Sequence, residues 1–220
     1  MKWQDTTPVW QPQSVAQLRE YVSQCWPQLS VQSQFDQALL EQAPSAPGAP
    51  LAPGTPLLLI EHSVLSKVLA HLGKQSHEQG GLLLGYAYGQ VASADQVSSI
   101  CAIVVTDSLA SVDYDASEVS LRMESRLWDQ ARARLNNPAT PGLLVIGWYH
   151  SHPNQGAFFS GTDRRTQAAF FAHPYSVGWV IDPIRAEHAC YCGPASEPFG
   201  DGRTLLQPDV LQRDRLQREL

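Results

Sequence analysis

His150-Ser151-His152-Pro153, preceded by Leu143-Leu144-Val145-Ile146-Gly147-Trp148-Tyr149 and followed after six residues by Ser160-Gly161-Thr162-Asp163, is the stretch that decides how this chain reads. The apolar run predicts a buried strand. His150 and His152 are its last inward-pointing residues, because alternation along a strand puts residues i and i+2 on one face. Two imidazoles and the Asp163 carboxylate are borderline ligands that suit Zn²⁺. Three protein ligands leave the fourth tetrahedral position for water, which separates catalytic zinc from structural zinc closed by four ligands.

Ser160-Gly161-Thr162-Asp163 also matches a helix-capping pattern, in which the serine oxygen accepts the backbone N–H three residues on. The two readings of Ser160 coexist: it can fix a helix start while its hydroxyl reaches a carbonyl oxygen or a water. Ser151 is expected on the opposite face of the strand from the histidines, which disfavours a nucleophilic serine. Trp148 and Tyr149 read as core and rim packing. His62, His71 and His188 lack metal-ligand spacing, and His77 reads as exposed. His173-Pro174 reads as a helix stop, since the residue before proline avoids helical backbone angles.

The run from Gly147 to Pro153, six residues, then Ser160 to Asp163 resembles the JAMM signature of the JAB/MPN metalloprotease family. That signature includes an upstream glutamate, and Glu78 in Glu78-Gln79-Gly80-Gly81-Leu82-Leu83-Leu84-Gly85 stands where the family places it. The resemblance spans about residues 57 to 195 and includes Val177-Gly178-Trp179-Val180-Ile181-Asp182-Pro183. It implies one zinc ion held by His150, His152 and Asp163 plus a water, with Glu78 as general base and Ser160 as a catalytic hydroxyl. The implied reaction is hydrolysis of the amide bond at the C-terminus of a ubiquitin-like protein, often the isopeptide bond to a lysine. After Pro183 the chain returns to strand without a long second insertion. The compact core therefore resembles bacterial members, including those found with E1/E2-like conjugation enzymes in antiphage operons. The implied partners are a ubiquitin-like protein or its conjugates, and those conjugation enzymes.

The chain has 220 residues and a net charge of −6, with a pI near 5.6. That balance argues against a nucleic-acid backbone partner, which draws on clustered Lys and Arg. Four cysteines, Cys25, Cys101, Cys190 and Cys192, are too few and too scattered for a secreted disulfide framework. Cys190 and Cys192 have the wrong spacing for a zinc knuckle and read as two thiols on opposite faces of a late strand. The N-terminus lacks the apolar core of a signal peptide, and no stretch approaches a membrane span. The expectation is a soluble cytoplasmic protein.

Four segments follow from composition. Residues 1–42 read as an N-terminal helical extension, with Ser14 capping a helix that contains Val15, Leu18, Tyr21, Val22 and Cys25, and a second helix from about Ser33 carrying Phe35, Leu39 and Leu40. Residues 43–56 form a Pro/Ala/Gly-rich linker. Residues 57–200 form the main domain, an α/β (α+β) fold with a central mixed β-sheet flanked by helices. Its predicted elements are strands at Leu57–Ile60, Gly80–Gly89, Ser98–Thr106, Val177–Ile181 and Ala189–Cys192, with helices at Ser63–Leu72 and from about Ser117 to Leu135. Between them, Asp107 to Glu118 is a polar acidic segment, including Asp113 and Asp115, with two readings: an ordinary solvated loop, or the flexible segment flanking the substrate tail that the resemblance implies there. Residues 201–220 read as a polar tail with helical character.

Three rival functions share much of this pattern. A metallopeptidase acting on a sulfur-carrier protein or a phage component has the same catalytic residues. A non-catalytic MPN scaffold is the second, although all five signature residues are intact. A zinc deaminase needs a glutamate two residues after a histidine and a later Pro-Cys-x-x-Cys, and the chain has neither.

Overall fold

The computed structural model describes residues 13–25, 56–73, 76–93, 96–112, 125–199 and 204–206. In chain order the elements are α1 (Val15–Cys25), β1 (Leu57–Ile60), α2 (His62–Leu72), β2 (Gly80–Ser93), β3 (Gln96–Ala110), α3 (Ser125–Leu135), β4 (Leu144–Ser151), α4 (Gly161–Phe170), β5 (Val177–Asp182), β6 (Glu187–Cys192), β7 (Glu197–Pro198) and β8 (Thr204–Leu206). The strands form one mixed sheet in the order β7-β6-β5-β4-β2-β3-β1-β8.

Strand alternation sorts the core onto two faces. Leu83, Tyr149 and Trp179 meet Val64, Val68 and Leu72 of α2 on one face. Those three helix residues recur every four positions, which builds one apolar stripe. Leu82, Leu84, Trp148 and Val180 meet Leu127 and Ala131 of α3 on the other face, with Phe159 and Phe171 flanking α4. β1 is buried along its whole length, as expected for a strand paired in parallel on both sides. The parallel pairing of β4 with β5 requires a crossover. α4 lies in that crossover and so comes beside the end of β4. β4 and β5 approach closely at Gly147, where a Cβ would stand 1.8 Å from the Val177 carbonyl oxygen.

The N-terminal helix forms as its sequence suggests and packs on its own sheet. Gln17 N–H donates to Ser14 Oγ at 3.3 Å while Ser14 N–H donates to Gln17 Oε1 at 2.8 Å, a reciprocal cap. Gln13 bonds along β2, donating to the Ala87 carbonyl and accepting from Gly89 N–H. Leu18 and Val22 are buried with Leu57, Leu59, Tyr88 and Val104, and Tyr21 Oη donates to the Glu61 carboxylate. Leu18→Ala is therefore expected to lower stability by about 2–5 kcal/mol, the usual range for emptying a buried leucine site. A fall in the urea midpoint at unchanged slope checks it.

Several expectations are corrected. β3 runs to Ala110, so Asp107 is a strand residue and not part of a loop. Its carboxylate accepts from Lys67 Nζ at 2.6 Å and Arg134 at 3.0 Å, joining α2 and α3 across β3. Asp113, Asp115 and Glu118, the N-terminal part of the 117–135 helix, and the helix from Ser33 lie outside the described residues. Thr204–Leu206, expected within a helical polar tail, instead form β8. That short apolar run pairs with the outer edge of β1, whose backbone groups otherwise lack partners on that side. Cys190 and Cys192 lie on the same face, both packed with α2's side of the core, because residues two apart in a strand share a face. Burial pushes each thiol up to about 12, so both are inert.

Candidate metal centre

β4 delivers His150 one residue before its end, and His152 follows immediately after the strand. Both rings face the side that carries Trp148, and the crossover returns Asp163 to them from the first turn of α4. His150 Nε2 lies 3.1 Å from His152 Nε2. Asp163 Oδ1 is 3.4 Å from His150 Nε2 and its Oδ2 is 3.5 Å from His152 Nε2. A tetrahedral ion with ligand bonds of about 2.0–2.1 Å has donor-to-donor edges of about 3.3–3.4 Å, and the two Nε2 atoms and the carboxylate, which turns a different oxygen to each ring, lie close to that spacing. All three residues are buried, and His150 Nδ1 has no hydrogen-bond partner among the described residues. Donor set, spacing and burial fit a single divalent ion.

The protonation states also fit. Burial and the neighbouring His150 lower the pKa of His152 against the pull of Asp163 and Glu78, which favours the neutral imidazole. His152 Nδ1 has no hydrogen-bond partner among the described residues, although the Gly156 backbone favours a proton on the ring. Burial raises the Asp163 carboxyl, but His150 and the hydroxyl and amide of Ser160 outweigh it and hold it at about 2. Neutral imidazole and ionised carboxylate are the forms that bind metals.

Ser160 and Asp163 form the predicted helix cap, and the capped carboxylate is the one beside the histidines. Asp163 N–H donates to Ser160 Oγ at 3.2 Å and Ser160 N–H donates to Asp163 Oδ2 at 2.6 Å, a capping box. The cap thereby fixes the rotamer of the carboxylate that faces the histidines. Glu78 reaches the same place: its Oε1 is 3.8 Å from His152 Nε2, and its side chain is 29% exposed. Ser151, fully buried, sets that position. Its hydroxyl accepts from Gln79 N–H at 3.0 Å and its own N–H donates to the Gln79 carbonyl at 2.8 Å. The serine between the two histidines thus positions the glutamate segment and is no nucleophile.

His62 and His71 lie on α2, His188 on β6, and none belongs to the cluster. His71 Nδ1 instead pairs with Tyr149 Oη at 3.0 Å. His77 is exposed and His173 follows the end of α4.

Asp182, unassigned by any spacing argument, organises the loop after His152. Its carboxylate is fully buried and accepts from the N–H groups of Asn154 at 3.0 Å and Gly156 at 2.8 Å. It also accepts from Ile184 at 3.0 Å and Arg185 at 3.1 Å. Burial raises this carboxyl, and the four backbone donors overcome that and hold it at about 2. A depressed folded-state value contributes stability that is present above the unfolded value of about 4 and is lost as pH falls towards 2. Asp182→Asn is expected to cost roughly 3 kcal/mol at neutral pH, since hydrogen bonds to a charged group are the strong ones. Stability measured from pH 5 to pH 2 should fall less steeply in the variant than in the wild type.

The model of the family described as prokaryotic homologs of the JAB domain matches residues 61–188. That is more than half of the chain, and the chain belongs to this family. COP9 signalosome complex subunit 5 of Eremothecium gossypii is 34% identical over 110 residues, covering 49% of this chain and 23% of that protein. The 26S proteasome non-ATPase regulatory subunit 14 of Drosophila melanogaster is 30% identical over 152 residues, 67% of this chain and 47% of that one. The NAD(+) hydrolase TcpA of Theionarchaea archaeon is 45% identical over 49 residues, 22% of this chain and 15% of that one. The chain spans less than half the length of each of these relatives. The solution structure of protein DSY2949 from Desulfitobacterium hafniense aligns with a TM-score of 0.45 at 19% identity, over 71% of this chain and 97% of that one.

Proposed function

We propose that this protein is a zinc-dependent peptidase that hydrolyses the amide bond after the C-terminal glycine of a ubiquitin-like protein, releasing it from a conjugate or a precursor. The observation that carries the hydrolytic reading is the convergence of His150, His152 and Asp163 with Glu78 beside them. The substrate class rests on family membership.

His150, His152 and Asp163 would hold the ion. When bound, zinc supplies Lewis acidity and makes hydroxide available near neutral pH. Glu78, partly open to solvent beside His152, takes the proton of the attacking water and returns it to the departing amine as the C–N bond breaks. Ser160 Oγ accepts from Asp163 N–H and keeps its own proton to donate to the substrate carbonyl oxygen. E1/E2-like conjugation enzymes of the same pathway are the proposed functional partners.

A panel of ubiquitin-like proteins with C-terminal amide-linked extensions tests the reading, run with wild type, chelator-treated enzyme and Glu78→Gln. Cleavage after the terminal glycine, lost in both controls, supports it. Zinc-loaded enzyme that is silent on the whole panel moves the function to another protein substrate or to a scaffold.

A further inference from the structure

We infer that Gln167 is a positioning residue that sets the angle between the strand bearing the histidines and the helix bearing the aspartate, acting through Trp148. This rests on the metal reading above. Gln167 lies one helical turn beyond Asp163 and is fully buried. Its Oε1 accepts from Trp148 Nε1 at 2.6 Å. Its Nε2 donates to the Ser176 carbonyl at 3.3 Å and the Gly193 carbonyl at 3.2 Å. The orientation of the amide is unambiguous, because indole N–H only donates and carbonyls only accept.

Trp148 in turn stacks on His150, with ring centroids 4.4 Å apart and planes 10° apart. One amide therefore ties α4 to β4 and to the segments flanking β5 and β6. Space around it is tight: a Cβ on Gly178 would stand 3.0 Å from Gln167 Oε1. Asp163 and His150 come from elements joined by a nine-residue loop, 152–160, and a loop alone does not hold donors to a few tenths of an ångström. Partners of this kind behind metal ligands typically change affinity 10- to 100-fold when removed.

The test is zinc affinity by chelator competition, with the ligand-field spectrum of the cobalt-substituted protein as a geometric readout. Gln167→Met should weaken zinc 10- to 100-fold and shift the cobalt bands. Trp148→Phe, which keeps a stacked ring but lacks the N–H donor, should do so in the same direction. The double variant should be little worse than Gln167→Met, because both changes break one path. Leu18→Ala, remote from the site, controls for stability and should leave zinc affinity unchanged. Should Gln167→Met fail to fold, Trp148→Phe decides. Wild type that binds zinc while the folded variants bind it equally well, with unchanged cobalt spectra, overturns this inference alone. Wild type that takes up no zinc overturns the metal reading and the inference with it.

Discussion

Alanine at His150 or Asp163 is expected to reduce zinc binding from one ion per chain to background and to slow cleavage roughly 10³-fold or more. A bound metal contributes several kcal/mol to the transition state, and each 1.36 kcal/mol is about tenfold in rate. Removing either residue leaves two of the three clustered donors His150, His152 and Asp163, too few to hold the ion. Asp163 needs a further control, since it also completes the cap of α4. Asp163→Asn keeps an oxygen for the Ser160 N–H while removing the charge, so it should retain most of the stability and still lose the metal. Chelator competition reads the zinc and thermal unfolding reads the helix. A fully metallated, active Asp163→Ala protein would refute the ligand assignment.

Glu78→Gln is expected to lower kcat by about 10² to 10⁴ while zinc affinity stays within a few-fold, because general acid–base assistance is worth that much. The side chain keeps its size, and its surroundings are set by backbone pairing between Gln79 and Ser151, which the substitution leaves intact. The separation of effects is informative: His150→Ala removes metal and rate together, whereas Glu78→Gln removes rate alone. Near-normal turnover in the glutamine variant would take Glu78 out of the mechanism.

Much of the site was legible because its parts are local. His150 and His152 share a face by strand alternation, and Ser160 and Asp163 announce a helix start by their spacing. The same locality explains α1, whose Ser14 cap and Leu18–Val22 stripe are readable without any neighbour. Where partners lie far apart in the chain, pattern reading ran out. Asp182 looks like the end of a strand in sequence, yet it holds a loop 28 residues upstream through Asn154 N–H. Gln167 belongs to no motif in the sequence and is fully buried. Asp107 looks like a loop residue because polar residues follow it, while pairing with β2 extends β3 past it.

By itself the sequence determined the candidate donor set of His150, His152 and Asp163, the strand alternation and helix cap that orient those side chains, the α+β class and the family. Only the tertiary structure decided that Glu78 arrives beside His152, that the N-terminal helix packs on its own sheet, and which distant groups the buried Gln167 and Asp182 bond. The reason is physical: periodicity and capping act within a few residues, whereas burial leaves Gln167 and Asp182 with distant partners that only the assembled sheet and crossover bring within hydrogen-bond reach.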